Sequence, residues 1–260
     1  MPADPLLQVS DLTRVYYQRR WFGRASVAHT ALQGVSFTLR RGQTLALIGD
    51  SGSGKSTLAR CLAQFETPTS GQIFFEGRPL SAARRLEIQL IVQQPAASLN
   101  PRFTAAEIVE EPLVIQAIGT PTERRERAAH ALELTGISRG ALAKRSHEFS
   151  GGERQRLAIA RALVGEPKLL ILDESFNGLD PALATQIAKL LDDLQEQLGI
   201  AYLLISHDLT LVAALASEIA VMEGGRIVEH AAADILTAHP QHPRTCELLA
   251  ASRALEGGVA

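Results

Sequence analysis

Three short apolar runs of strand length occur along the chain, at residues 45–48, 169–172 and 202–205. The first run leads into a glycine-rich turn, and helix-forming residues follow from Lys55. This order predicts a strand, a loop and a helix.

A helix is also predicted between the second and third runs, because apolar residues recur at helical spacing from Leu183 to Leu198. Asp180 is a suitable N-cap, Pro181 suits the first turn and Gly199 is a stop signal. A strand, a helix and a strand at this spacing predict a parallel βαβ unit.

The remaining regions have different patterns. Residues 9–39 alternate apolar and polar positions in patches, which predicts antiparallel strands. Residues 105–164 are mainly helix formers without a convincing strand, which predicts a helical insert. We therefore expect an α/β protein with a parallel sheet, an N-terminal antiparallel β subdomain and a helical insert.

The composition of the 260 residues favours a globular protein, since 46% of them are hydrophobic. The 26 basic and 28 acidic residues leave a formal charge of −2, which does not indicate nucleic-acid binding. No apolar run reaches the roughly 18 residues that span a bilayer, and we expect no secretory signal. Cys61 and Cys246 are too few for a disulfide framework, which is typical of a reduced, cytosolic compartment.

Residues 49–56 match the phosphate-loop pattern in full. The glycines allow backbone N–H groups and the following helix N-terminus to face phosphates, Lys55 reaches the β/γ oxygens, and Ser56 can ligand Mg²⁺. A glycine-rich loop can also be a plain turn, but this one lies between a predicted strand and a predicted helix. The predicted nucleotide-binding residues here are Gly49, Asp50, Ser51, Gly52, Ser53, Gly54, Lys55, Ser56 and Thr57.

Two carboxylates, Asp173 and Glu174, follow the apolar run 169–172. They are expected at the C-terminal end of a buried strand, where α/β sheets bind ligands. Asp173 is predicted to hold Mg²⁺, directly or through water, and Glu174 to orient and polarise the attacking water. The alternative is a solvated acidic turn.

A further helix start lies at Ser150, Gly151, Gly152 and Glu153. Ser150 and Glu153 have the spacing of a capping box, and the exposed N–H groups form a second anion site. Without its context, this segment is an ordinary helix start.

These motifs, in this order and together with Ser-His-Asp at 206–208, resemble the ABC ATPase family over nearly the whole chain. The resemblance implies a P-loop NTPase core, ATP and Mg²⁺ as cofactors, and an Mg²⁺-dependent ATPase in which two subunits sandwich two ATP molecules. It divides the single domain 1–260 into three parts. These are the nucleotide-binding core 1–94 and 165–230, the helical subdomain 95–164 and the C-terminal tail 231–260.

The resemblance also assigns roles to single residues. Residues 150–153 would contact the γ-phosphate of ATP held by the opposite subunit. Gln93 resembles the glutamine that senses Mg²⁺ and the attacking water, and His207 resembles the histidine that contacts the γ-phosphate and positions Glu174. Tyr16 resembles the aromatic residue that stacks on adenine, with Tyr17 as the alternative.

The chain departs from the family pattern after Glu174. Residues 175–179 read Ser-Phe-Asn-Gly-Leu where the family usually has Pro-Thr-Ser-Ala-Leu, while Asp180 is retained as a nucleotide-site residue. This change puts the cross-dimer contacts of the loop in question. Gln94 also replaces a frequent aspartate, which we expect to affect coupling more than chemistry.

The Ser-Leu-Asn-Pro stretch at 98–101 and the His-Pro segments at 239–243 resemble the ATPases of dipeptide, oligopeptide and nickel importers, with Arg244 where tyrosine is usual. The resemblance implies integral-membrane permease partners, an identical or related second ATPase subunit, and an indirect solute-binding protein. It places the chain peripherally on the cytoplasmic face of the bacterial inner membrane. Peptide and nickel remain alternatives for the solute.

Other readings of the chain are less consistent with its motifs. A mechanical ABC ATPase acting on DNA or the ribosome usually carries long coiled coils or two cassettes, and this sequence shows neither. A GTPase would need an Asn-Lys-x-Asp run, which is missing. His239 and His242 lack further metal ligands nearby. The basic and aromatic residues at 19–24 are expected to form a solvated hairpin tip, with a membrane or nucleic-acid contact as the alternative.

Overall fold

The computed structural model describes residues 5–18, 26–92, 98–175, 178–207 and 209–256. Gln93 and the 19–24 insertion lie outside these residues, as do Gln94, Phe176 and Asn177.

Strands and helices occur in the following order along the described residues. The strands are β1 (Leu7–Gln18), β2 (Ser26–Leu39), β3 (Thr44–Gly49), β4 (Ser70–Phe75), β5 (Arg78–Pro79), β6 (Ile88–Ile91), β7 (Leu169–Asp173), β8 (Ala201–Ile205), β9 (Glu218–Glu223) and β10 (Arg226–Ala232). The helices are α1 (Lys55–Leu62), α2 (Ala105–Ile115), α3 (Pro121–Leu134), α4 (Gly151–Leu163), α5 (Pro181–Leu198), α6 (Leu209–Leu215), α7 (Ala233–Ala238) and α8 (Pro243–Glu256).

A six-stranded sheet with the order β10-β9-β3-β8-β7-β6 forms the centre of the protein. Its strands run parallel except β10, which pairs antiparallel with β9. Every residue of β3, β7 and β8 is buried, which explains why these strands read as uninterrupted apolar runs. The predicted parallel βαβ unit is confirmed as β7, α5 and β8.

Two apolar cores lie on opposite faces of this sheet, because alternate side chains of a strand point to opposite faces. Along β3, Ala46 and Ile48 belong to the core shared with the helical insert and α5. Leu45 and Leu47 belong to the core shared with α1 and the N-terminal strands. The sheet therefore supports the helical insert on one side and the antiparallel sheet on the other.

The antiparallel sheet has the order β2-β1-β4-β5. The predicted antiparallel strands within 9–39 are confirmed as β1 and β2, and the sheet also recruits β4 and β5 from later in the chain. This arrangement places the C-terminal half of β1 next to the loop that follows β3, because Tyr16 and that loop line the same cavity.

The helical insert contains α2, α3 and α4, which pack against each other. Each begins with a capping box in which a hydroxyl side chain and a glutamate three residues later satisfy each other's backbone N–H groups. α5 begins and ends as predicted, with Asp180 accepting from the Leu183 N–H and Gly199 at φ 65°. Leu198 is 45% exposed, contrary to its place in the predicted apolar stripe, because it lies over a surface cavity at the helix end.

None of the helices that the structure describes has both the length and the apolar character needed to cross a membrane.

Candidate functional site

The loop between β3 and α1 is held between the two sheets. Gly49, at φ 148°, lies so close to β9 that an added Cβ would be 2.2 Å from the Met222 carbonyl oxygen. Gly54, at φ 109°, would place a Cβ 2.4 Å from the Ala31 carbonyl oxygen of β2. Both positions therefore require glycine, for its backbone conformation and for the close approach.

Lys55 is the first residue of α1, directly after this loop, and is 5% exposed. Its Nζ donates hydrogen bonds to the carbonyl oxygens of Gly49 and Asp50, each at 2.7 Å. Burial lowers the pKa of Lys55, while the nearby carboxylates of Glu174 and Asp173 oppose that shift. The fold thus holds a positive charge inside a loop whose backbone is shaped for an anion.

Ser56 and Asp173 place a hydroxyl and a carboxylate beside this loop. The Ser56 hydroxyl donates to Asp173 Oδ1 at 3.1 Å, and Asp173 is 8% exposed. Burial raises the pKa of Asp173, and the hydrogen bond from Ser56 opposes that shift. Within the described ranges, no group of three or more His, Cys, Asp and Glu side chains is placed to hold a metal. A hydroxyl and one carboxylate suit Mg²⁺, which usually retains waters and shares its remaining ligands with phosphates.

Glu174 and His207 meet because the adjacent parallel strands β7 and β8 end side by side. His207 Nε2 lies 2.9 Å from Glu174 Oε1. The Glu174 N–H donates to the Ile205 carbonyl oxygen at 2.9 Å, and the backbone of Glu174 then turns through φ 50°. Such a conformation is unusual for a residue other than glycine.

A cavity of about 270 Å³ joins the phosphate loop to the antiparallel sheet. It is lined by Tyr16, His29, Ala31, Ser51, Gly52, Gly54, Lys55, Ser56, Thr57 and Glu174. This cavity therefore brings together residues that were predicted from three separate motifs. They are the aromatic residue Tyr16, the phosphate loop, and Glu174 of the acidic pair.

Tyr16 is fixed in place by its neighbours, whereas Tyr17 is 57% exposed and does not line the cavity. The Tyr16 hydroxyl donates to Glu66 Oε2 at 2.5 Å, and the Arg14 guanidinium lies 4.8 Å from the centre of the ring. The His29 ring is parallel to it within 8°, with ring centres 6.5 Å apart. Sequence reasoning missed Arg14, His29 and Glu66, because no local pattern marks them.

The helix start at residues 150–153, predicted as a second anion site, lies elsewhere on the chain. Ser150 accepts a hydrogen bond from the Glu153 N–H at 3.3 Å, and Glu153 accepts from the Ser150 N–H at 2.8 Å. Neither the segment 150–153 nor Asp180 lines the cavity among the residues that are described. The N-terminus of α4 is therefore separate from the phosphate-loop cavity.

The chain resembles known proteins along almost its whole length. Residues 32–177 match the ABC transporter family. The chain is 42% identical over 259 residues to the dipeptide transport ATP-binding protein DppF of Escherichia coli (strain K12), covering 97% of this chain and 78% of that protein.

Two solved structures of ATP-binding cassettes are similar to the fold. The structure of cbiO1 from Clostridium perfringens, part of the ABC transporter complex cbiONQ, has a TM-score of 0.78 at 30% identity and covers 98% of this chain and 100% of that one. The dimeric cassette MJ0796 bound to ADP and Pi has a TM-score of 0.71 at 27% identity, with coverages of 87% and 98%.

Proposed function

Because this chain belongs to the ABC transporter family and is an ATP-binding, ATP-hydrolysing subunit, we propose that the cavity at its phosphate loop is the ATP site. ATP hydrolysis at this site drives peptide import through a separate permease. One observation carries the assignment of the site. Lys55, the Ser56–Asp173 pair and the Glu174–His207 pair lie together where the adjacent strands β3, β8 and β7 end. Ligands bind at this edge of parallel sheets.

The phosphate loop would bind the triphosphate through its backbone N–H groups, the N-terminus of α1 and Lys55. Lys55 already lies in the loop, held by two backbone carbonyl oxygens. A γ-phosphate oxygen would compete with those carbonyls for the ammonium group. The Tyr16 ring would stack on adenine at the other end of the cavity.

Ser56 and Asp173 would hold Mg²⁺, with Gln93 as a third candidate ligand from the sequence alone. The bound ion would neutralise charge on the β- and γ-phosphate oxygens. Asp173 suits this role because it is buried and its one described hydrogen-bond donor is the Ser56 hydroxyl.

Glu174 would orient the attacking water and accept its proton as the water oxygen bonds to the γ-phosphorus and the β–γ bridging bond breaks. His207 would hold the Glu174 carboxylate through the 2.9 Å contact and would contact the γ-phosphate. Glu174 combines a strained backbone with a place in the lining of the cavity, and such strain is common at functional sites.

ABC cassettes dimerise and work with membrane permease subunits, and the site is consistent with this. Residues 150–153 would contact the nucleotide held by a second ATPase subunit, identical or related. The dimeric MJ0796 structure supports this arrangement. The pair would bind permease subunits at the cytoplasmic face of the bacterial inner membrane, and a solute-binding protein would deliver the solute to those subunits.

The ATP site is tested by comparing Lys55→Ala with Lys189→Ala, a change at an exposed lysine on α5. We expect Lys55→Ala to weaken MgATP binding at least tenfold, because it removes a charge held at the phosphates, and Lys189→Ala to bind normally. Equal affinities in the two variants would contradict the assignment.

The transported solute is tested with the complex of this chain, its permease and its binding protein in lipid nanodiscs. We expect the binding protein loaded with a dipeptide or oligopeptide to stimulate phosphate release, and the same protein incubated with Ni²⁺ to leave the basal rate unchanged. A complex carrying Glu174→Gln provides the inactive control. Stimulation by Ni²⁺ instead of peptide would replace the proposed solute, and no stimulation by either would contradict the import function.

A further inference from the structure

The start of the C-terminal helix α8 is fixed to the edge of the central sheet. Glu229 on β10 accepts the backbone N–H groups of Gln241 at 2.8 Å and His242 at 3.0 Å. His242 Nδ1 accepts the Arg244 N–H at 3.2 Å and so caps the helix. The position of Arg244 is therefore set by the sheet rather than by a free tail.

From this position the Arg244 guanidinium reaches the phosphate loop. Its Nη2 donates to the carboxylate of Asp50, and its Nη1 donates to Glu247 at 2.5 Å. The Arg244 side chain is 24% exposed and that of Asp50 is 52% exposed. The same Asp50 offers its backbone carbonyl to Lys55, so one residue contacts both the tail and the central lysine of the site.

A second contact joins the loop to the same part of the fold. The turn between β9 and β10 donates the Gly225 N–H to the Ser53 carbonyl oxygen at 2.9 Å. β10 in turn carries Glu229, which holds the start of α8. The phosphate loop is thus held on its outer side by the β9–β10 turn and by the tail.

The charge of Asp50 gives this contact a consequence for nucleotide binding. A carboxylate in a loop that binds a triphosphate repels the ligand, and its charge also acts on Lys55. Arg244 supplies a compensating positive charge from outside the loop. Because the pair is partly exposed, salt weakens its contribution.

We propose that Arg244 is a positioning residue for the ATP site, which pairs with Asp50 so that nucleotide binding and docking of α8 favour each other. This inference rests on the proposed ATP site. Linkage requires the effect to be reciprocal: ATP stabilises the docked helix by the same factor by which the docked helix strengthens ATP binding.

The first experiment measures the Kd of MgATP for the purified full chain at low and high ionic strength. We expect R244A to raise Kd about fivefold at low salt and less at high salt, with kcat at saturating ATP unchanged. R244K should recover part of the loss, because an ammonium group can also pair with Asp50. The double variant D50N/R244A should bind more tightly than R244A, since the uncompensated carboxylate is gone.

The second experiment measures amide hydrogen exchange in α8 with and without MgATP. ATP should slow exchange in the wild type and have less effect in R244A and in D50N, which breaks the same pair from an exposed position. The matched control is Glu247→Ala, which removes the other partner of Arg244 and should leave both the Kd and the ATP effect on exchange unchanged.

The two proposals fail in different ways. If Lys55→Ala binds ATP normally, the ATP site itself is wrong. If Lys55→Ala loses binding while R244A keeps the wild-type Kd at every salt concentration, only the role of Arg244 is wrong. If D50N/R244A binds MgATP as weakly as R244A does, Arg244 is a structural residue, and the inference is also overturned.

Discussion

Glu174→Gln separates nucleotide binding from the chemical step. Glutamine has the shape of glutamate, and its carbonyl oxygen can keep a hydrogen bond to His207, which lies 2.9 Å from Glu174 Oε1. The Glu174 side chain is 25% exposed, and the contact with His207 is the side-chain contact that the structure describes for it. Because glutamine can keep this contact, we expect the free energy of unfolding to change by no more than about 0.5 kcal/mol.

The expected loss lies in the rate. Removal of a general base slows a reaction by about 10²- to 10⁴-fold, which corresponds to about 3 to 5 kcal/mol in the activation barrier. The affinity should move in the other direction, because the change removes a negative charge that acts on Lys55 and borders the cavity. We expect MgATP to bind more tightly, by up to about tenfold.

The assay is phosphate release at saturating MgATP, combined with the Kd and with size-exclusion chromatography of the ATP-loaded protein. The ATP-loaded variant should accumulate as a dimer, because the nucleotide that joins the subunits is not hydrolysed. Glu196→Gln, at an exposed position on α5, is the matched control. A rate loss below tenfold for Glu174→Gln would refute its role as the base.

Three further predictions concern the fold that supports the site. Tyr202→Phe should lower the free energy of unfolding in urea by about 1 to 2 kcal/mol, because the buried Tyr202 hydroxyl donates to the Leu191 carbonyl oxygen at 2.8 Å. The Arg84 guanidinium lowers the pKa of Glu87 to about 2, so this carboxylate adds stability above about pH 4.5 that is lost as the pH falls towards 2. Glu87→Gln should therefore cost about 1 kcal/mol at pH 7, measured by urea unfolding, and the difference should narrow at acidic pH. Gly49→Ala should abolish MgATP binding and destabilise the protein by at least about 2 kcal/mol, because its Cβ would lie 2.2 Å from a backbone oxygen.

Each of these three predictions would be contradicted by a different result. Equal free energies of unfolding for Tyr202→Phe and the wild type would mean that the hydrogen bond from Tyr202 to Leu191 does not stabilise the fold. A stability difference for Glu87→Gln that stays constant from pH 7 to acidic pH would exclude the ionised carboxylate as its source. Normal ATP binding by Gly49→Ala would show that the loop can move away from β9.

Local signals explain which parts of the fold were predicted from the sequence. The strands β3, β7 and β8 are buried on both faces and so read as apolar runs, and α5 carries a cap at each end. The resemblance to ABC ATPases implied that Glu174 and His207 meet, and the physical cause is that the adjacent parallel strands β7 and β8 end at a common edge of the sheet.

The contacts that were missed join residues far apart in the chain. β4 pairs with β1, and β5 with β4, only after the chain has passed through β3 and α1, and no local pattern sets that pairing. Glu66, which fixes Tyr16, lies in the irregular segment before β4. Arg244 and Asp50 are 194 residues apart. Each partner alone is an ordinary surface charge, and only the tertiary structure gives it a role.

The close packing of Gly49 and Gly54 against strands of two different sheets has a mechanical consequence. A loop that is already rigid loses little conformational entropy when it receives the nucleotide. If the chain works as proposed, the binding energy of ATP then remains available for bringing the two ATPase subunits together. In a variant with a more flexible loop, part of the binding free energy of ATP would be used to order the loop, even though ATP still entered the site.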